Sequence, residues 1–179
     1  MTNASPPIQI RPARREDAVA LSALSRSTFH ETFVEGFGIP YPPLDLEAFF
    51  DKAFHPEALA ARIEDKACLF QVAERDGTLV ALCHAGPNDL PHPDAWPGEM
   101  ELRRLYVARS AQGLGLGSQL LAQALDWMQP RTTGALWIGV WSGNLKAQKL
   151  YRAHGFEKVG EYDYPVGAWR DREFILRRA

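Results

Sequence analysis

The chain has 179 residues and a formal net charge of −2, enough for one domain with a sizeable core and no support for nucleic acid or an anionic membrane as its main partner. No apolar run approaches a membrane span, and Met1 to Pro7 lacks the basic and apolar regions of a signal peptide, so cytoplasmic residence is the expectation. Cys68 and Cys83 lie in apolar strand-like segments and form neither a metal nor a disulfide framework; reduced core residues are expected.

From the N-terminus, Ile8-Gln9-Ile10-Arg11 alternates as a short strand. Asp17 onward predicts a helix with Ala18, Leu21, Leu24 and Phe29 on its apolar side, followed by a Gly- and Pro-rich loop from Gly36 to Pro43. Asp45 can cap a helix through Phe54, and Pro56-Glu57 opens another that reaches about Glu64. Leu69 to Glu74 and Leu79 to His84 read as strands joined by the turn Arg75-Asp76-Gly77. An irregular stretch from Gly86 to Gly98 precedes the strand Met100 to Val107. Leu114, Leu120, Leu121, Ala124, Leu125 and Met128 recur near helical spacing, predicting a helix from about Gly113 to Pro130. Ala135 to Trp141 reads as a buried strand, a helix follows Asn144, and strand-like runs at Glu161 to Val166 and Arg172 to Leu176 flank Gly167. The expected architecture is a single α/β domain over residues 7–179, with a mixed sheet of about seven strands flanked by helices.

The run Gln112-Gly113-Leu114-Gly115-Leu116-Gly117 carries the most information. Strand, glycine loop and helix follow in order, and the glycines leave the backbone open where free amides converge at a helix N-terminus. Such a site binds diphosphates. A Walker loop is excluded because Gly117-Ser118 follows Leu116 with no lysine. A dinucleotide fingerprint starting at Gly113 or Gly115 would need glycine where Ser118 or Leu120 stands. The remaining pattern, Gln-x-x-Gly-x-Gly at Gln112, Gly115 and Gly117, resembles the coenzyme A pyrophosphate loop of the GNAT superfamily of N-acetyltransferases. The string Asn144-x-x-Ala147-x-x-Leu150-Tyr151-x-x-x-Gly155-Phe156 is similar to that family's second signature. On a helix its Asn144, Ala147 and Tyr151 share one face.

The resemblance implies acetyl-CoA as co-substrate, no metal, and central parallel strands splayed at the coenzyme A site. By it, Gln112 to Ser118 (Gln112, Gly113, Leu114, Gly115, Leu116, Gly117 and Ser118) hold the pyrophosphate. Leu105, Tyr106 and Val107 lie along the pantetheine arm, with the Leu105 and Val107 amides at the thioester, and Asn144, Ala147 and Tyr151 complete the set. An alkylammonium is only about one part in a thousand neutral at pH 7, so the amine must lose a proton before it attacks. Glu101 falls where the family places a general base, with Glu99 or a water relay as alternatives. Tyr151 would protonate the departing thiolate. If the strand is unbulged, Glu99, Glu101, Arg103, Leu105 and Val107 share a face; a bulge would scramble that parity. Family members often carry an acidic residue shortly before the asparagine, where this chain has Val140-Trp141-Ser142-Gly143, and Trp141 would wall the acceptor channel. The chain looks most similar to a bacterial subgroup that includes polyamine N-acetyltransferases, with His30, Glu31 and Phe33 as contributors to a polyamine path. The expected acceptor is a small-molecule amine; an amino acid, an antibiotic, a protein amine and a non-catalytic acyl-CoA sensor are the alternatives. The C-terminal strands could pair across a homodimer, as they do in relatives.

Overall fold

The computed structural model describes residues 7–179, so the segment read for a signal peptide lies, Pro7 apart, outside the described residues. Its strands are β1 (Gln9–Pro12), β2 (Leu69–Arg75), β3 (Thr78–Pro87), β4 (Met100–Val107), β5 (Leu136–Trp141), β6 (Glu157–Val166) and β7 (Trp169–Arg178). They form one sheet in the order β1-β2-β3-β4-β5-β7-β6. Every neighbouring pair is antiparallel except β4 and β5. The helices are α1 (Ala18–Phe29), α2 (Pro43–Ala53), α3 (Pro56–Glu64), α4 (Leu116–Met128) and α5 (Leu145–Ala153).

Both faces of the sheet are covered, which is why its central strands are apolar on both sides. On one face Leu120, Leu121, Ala124 and Met128 of α4, with Tyr151 and Phe156, pack on Ala81, Cys83, Ala85, Leu102 and Ile138. On the other, Leu21, Leu24 and Leu59 of α1 and α3 pack on Phe70, Val72 and Leu82. An aromatic cluster of Phe29, Tyr41, Phe49, Phe50 and Phe54 continues this second layer under α2.

Several boundaries differ from the sequence pattern, among them the following, each for a local reason. The helix expected to stop at Gly36 widens first: His30–Gly36 is a π-helical continuation of α1, closed by Phe37 N to Thr32 O at 3.0 Å. Asp45 does not cap α2, which begins at Pro43; its carboxylate accepts from the Ala168 amide at 2.8 Å, fastening the helix to the β6–β7 turn. Helix α4 starts at Leu116, because Gly113 and Gly115 have φ of 78° and 75°, outside helical space. β6 and β7 are each ten residues long, since hairpin pairing across Gly167 continues past the residues that alternate.

Two irregularities around β4 make the site. β4 pairs with β5 only at Met100↔Leu136, Glu101↔Trp137 and Leu102↔Ile138, and beyond that the two strands separate. Against β3, Ala85 pairs with Leu102 and His84 with Arg104, leaving Arg103 as an extra bulged residue. Side-chain parity therefore reverses at Arg103. Glu101, Arg104 and Tyr106 lie on one face, whereas Leu102, Leu105 and Val107 lie on the other.

Candidate active site

Where β4 leaves β5, one edge of β4 is unpaired. The Ala108 amide bonds to Val80 O at 2.8 Å, so by antiparallel alternation the Tyr106 amide also faces β3. The amides of Leu105 and Val107 then point into the gap. There the Val107 carbonyl accepts from Gln112 Nε2 at 3.1 Å, tying the glycine loop to the strand. A Cβ on Gly113 would meet nothing within 4 Å, so glycine is required there by its positive φ, and the space beside it is open. The first bond of α4 runs from Gln119 N to Gly115 O at 3.1 Å. The amides of Leu116, Gly117 and Ser118 are consequently left for a ligand at the positive end of the helix dipole.

Helix α5 forms the opposite wall. Asn144 Oδ1 caps it by accepting from Ala147 N at 3.1 Å, which leaves Nδ2 as a donor toward the gap. Ala147 and Tyr151 follow on the same face. Between these walls and the π-helical segment lies a cavity of about 650 Å³ that reaches from the glycine loop to Tyr151. Burial, with Cys83, Tyr106 and Glu173 nearby, holds the Tyr151 phenol above its ordinary pKa, so it is protonated at neutral pH.

A second cavity of about 140 Å³ opens on the other side of the splay. Tyr151, Asn144, Ala147, Leu105, Tyr106 and Phe33 line both, so the two spaces share a wall that includes Tyr151. The smaller cavity contains Glu101, Arg104, Tyr162, Tyr164, Asp171 and Glu173. Glu101 is 8% exposed, and its Oε2 accepts from the Asp89 amide at 2.9 Å. Burial pushes its carboxyl up to about 7, with that amide and Arg103 pulling the other way. Glu173 accepts from Tyr162 Oη at 2.9 Å. Burial raises it to about 7 against that hydrogen bond, helped by the charges of Asp171 and Glu101. A Cβ on Gly139 would sit 3.1 Å from both Glu173 Oε2 and Tyr162 Oη, so the absent side chain makes room for this pair. Asp171 is already committed, accepting from Tyr41 Oη at 2.5 Å and Trp169 Nε1 at 3.0 Å.

Glu99 lines neither cavity. Its carboxylate accepts from Trp96 N at 3.0 Å, Ala135 N at 2.8 Å and Trp137 Nε1 at 2.7 Å. Burial opposes its charge, but these three donors and Arg177 outweigh burial and hold the carboxyl below its ordinary range. The group fastens the loop before β4 to the start of β5. Glu99→Ala should cost about 2–4 kcal/mol by stranding three buried donors, read as a fall in thermal midpoint; an unchanged midpoint would remove this role.

Residues 27–156 match the acetyltransferase (GNAT) family. The chain belongs to that family. Over 172 residues it is 27% identical to an uncharacterized N-acetyltransferase of Lactobacillus delbrueckii subsp. lactis, covering 96% of this chain and 97% of that protein. The fold matches the crystal structure of PaiA N-acetyltransferase from Thermoplasma acidophilum in complex with coenzyme A, with a TM-score of 0.72, 21% identity, and coverage of 96% and 98%. It also matches a ribosomal-protein-alanine N-acetyltransferase from Brucella melitensis, with a TM-score of 0.68, 26% identity, and coverage of 95% and 98%. The protein is an N-acetyltransferase with acetyl-CoA as co-substrate.

Against this GNAT frame, the larger cavity brings together Leu105, Tyr106, Val107, Gln112, Gly113, Gly115, Leu116, Gly117, Ser118, Asn144, Ala147 and Tyr151. Leu114 is the exception: it is 53% exposed and outside the lining, while Leu116 is buried in the core cluster and still borders the cavity. Of the residues considered for a polyamine path, Phe33 reaches both cavities and Glu31 the larger one. His30 reaches neither and bonds to Glu35 at 3.2 Å. The sequence reading missed Arg104, Tyr162, Tyr164, Asp171 and Glu173. A signal existed for the last two, since Asp171 and Glu173 alternate with Trp169 and Ile175 along one face of their strand. Among the described residues no cluster of His, Cys, Asp or Glu could hold a metal ion, and no helix is long and apolar enough to cross a membrane.

Proposed function

We propose that the enzyme acetylates a small-molecule primary amine by direct attack, with Glu101 as general base and Tyr151 as general acid. The observation that carries this reading is the wall, including Tyr151, that the two cavities share, with Glu101 on the smaller side. The glycine loop takes the pyrophosphate, and the thioester lies along the free edge of β4. Glu101 accepts a proton from the bound ammonium, and the neutral nitrogen attacks the carbonyl carbon. The carbonyl oxygen gains charge and receives a hydrogen bond from a β4 amide turned into the gap. As the tetrahedral species collapses, the C–S bond breaks, the Tyr151 phenol gives its proton to the sulfur, and the second proton shed by the nitrogen as the amide forms restores the phenol. Likeness to the ribosomal-protein-alanine enzyme favours a second reading, in which the amine is a protein N-terminus. The assembly proposed is a homodimer paired through β6, an edge strand of the sheet.

The test is thiol release from acetyl-CoA with amines, polyamines, amino acids and peptides as acceptors, followed across pH. A base whose carboxyl is raised to about 7 is protonated and idle below that pH, so kcat/KM should rise as pH increases through it and level off above. Glu101→Gln should remove that limb and lower the plateau about 10²-fold. Because Glu173 is raised to the same range, a limb that survives Glu101→Gln and disappears in Glu173→Gln would move the base to Glu173. Release with peptides alone would favour the protein acceptor.

A further inference from the structure

We infer that the acceptor carries an anionic group, a carboxylate near its amine, and that Arg104 is the residue that reads it. This rests on the smaller cavity being the acceptor pocket. The bulge at Arg103 places Arg104 on the same face as Glu101, and both line that cavity. The guanidinium is held in place: it lies over the Phe54 ring at 5.2 Å from the centroid and beside the phenols of Tyr106 and Tyr164. Yet it takes part in none of the ion pairs among the described residues, where Arg11, Arg15, Arg26, Arg109 and Arg172 are all matched to carboxylates.

Arg62 and Arg103 add positive charge around the guanidinium, whereas Glu101 and Glu173 lie near enough for its charge to favour their ionised forms. Arg62 donates to Ala53 O at 2.6 Å and Arg103 to Pro87 O at 2.5 Å, both carbonyls. His84, stacked on Phe70 with both ring nitrogens unbonded, is neutral. The same small cavity is lined by Glu101, Glu173 and Asp171, the last held by Tyr41 and Trp169. The pocket therefore presents carboxylates and a guanidinium to one space, and a small zwitterion satisfies both at once: its ammonium meets the carboxylates and its carboxylate takes the guanidinium fork. A polyamine satisfies only the first and brings further cations toward Arg104.

The experiment compares matched acceptors: amino acids, their amides, and the amines left by decarboxylation. Wild-type enzyme should prefer each amino acid over both partners by at least about 10-fold in kcat/KM. Arg104→Met should erase that preference mainly through KM, and Arg104→Lys should keep part of it. Equal or better use of the decarboxylated amines by the wild type overturns the inference while acetyl transfer stands, as does an Arg104→Met variant that slows every acceptor alike. If no acceptor turns over, thermal midpoints with coenzyme A present decide. Stabilisation by amino acids that Arg104→Met loses keeps the anion site and rejects the proposed reaction, and no stabilisation rejects both. Should Arg104→Met fail to fold, the matched acceptors on wild type and Arg104→Lys suffice.

Discussion

Gly115→Glu abolishes co-substrate binding, raising the Kd for coenzyme A at least about 100-fold. Two effects act together. Gly115 has a φ of 75°, in the left-handed region that costs a side-chain-bearing residue about 1–2 kcal/mol, and its conformation aims the first amides of α4 at the ligand. Glutamate also places a negative charge where the positive end of the helix attracts a pyrophosphate. Crowding within the protein is not the cause, since a Cβ at this position would meet only Gln119 Nε2, at 3.9 Å. Calorimetric titration with coenzyme A checks the result, with a thermal melt to show that the variant is folded. Folded protein with ordinary affinity would mean that the pyrophosphate binds elsewhere.

Tyr151→Phe should lower kcat by roughly 10²-fold or more while coenzyme A binds nearly as before. The ring lies in the core shared with Phe156 and Leu102 and is 7% exposed, so phenylalanine preserves the packing and deletes only the hydroxyl. What is lost is the proton delivered to the departing thiolate. The phenol's raised pKa keeps that proton in place at every pH near neutrality, so the loss should be nearly independent of pH between about 6 and 8. The Glu101 limb should therefore persist in this variant. A rate close to wild type would transfer the acid role to water or another group.

The lining of the larger cavity was legible in the sequence because local spacing builds it. A glycine loop between a strand and a helix needs only its own backbone to present free amides, and Asn144, Ala147 and Tyr151 share a face wherever their helix packs. Strand positions from β2 to β5 were readable for a similar reason, their apolar runs being bounded by turns. The lining of the smaller cavity was not legible. Its residues come from β4, β6, β7 and the π-helical turn, and they converge only after the β6–β7 hairpin pairs beside β5. The parity of β4 was likewise undecided until the bulge at Arg103 turned Glu101 and Arg104 to one face and Leu105 and Val107 to the other. Nor could the sequence separate Glu99 from Glu101, two carboxylates two residues apart. Their roles part because Trp96, Ala135 and Trp137 supply three donors to the first, while the second faces a cavity with one amide bond and a raised pKa. Sequence alone thus determined the glycine loop between strand and helix and the helix carrying Tyr151, which follow from short-range geometry. Tertiary structure alone decided which charges line the smaller cavity, because that depends on strand register and on where the β4 bulge falls.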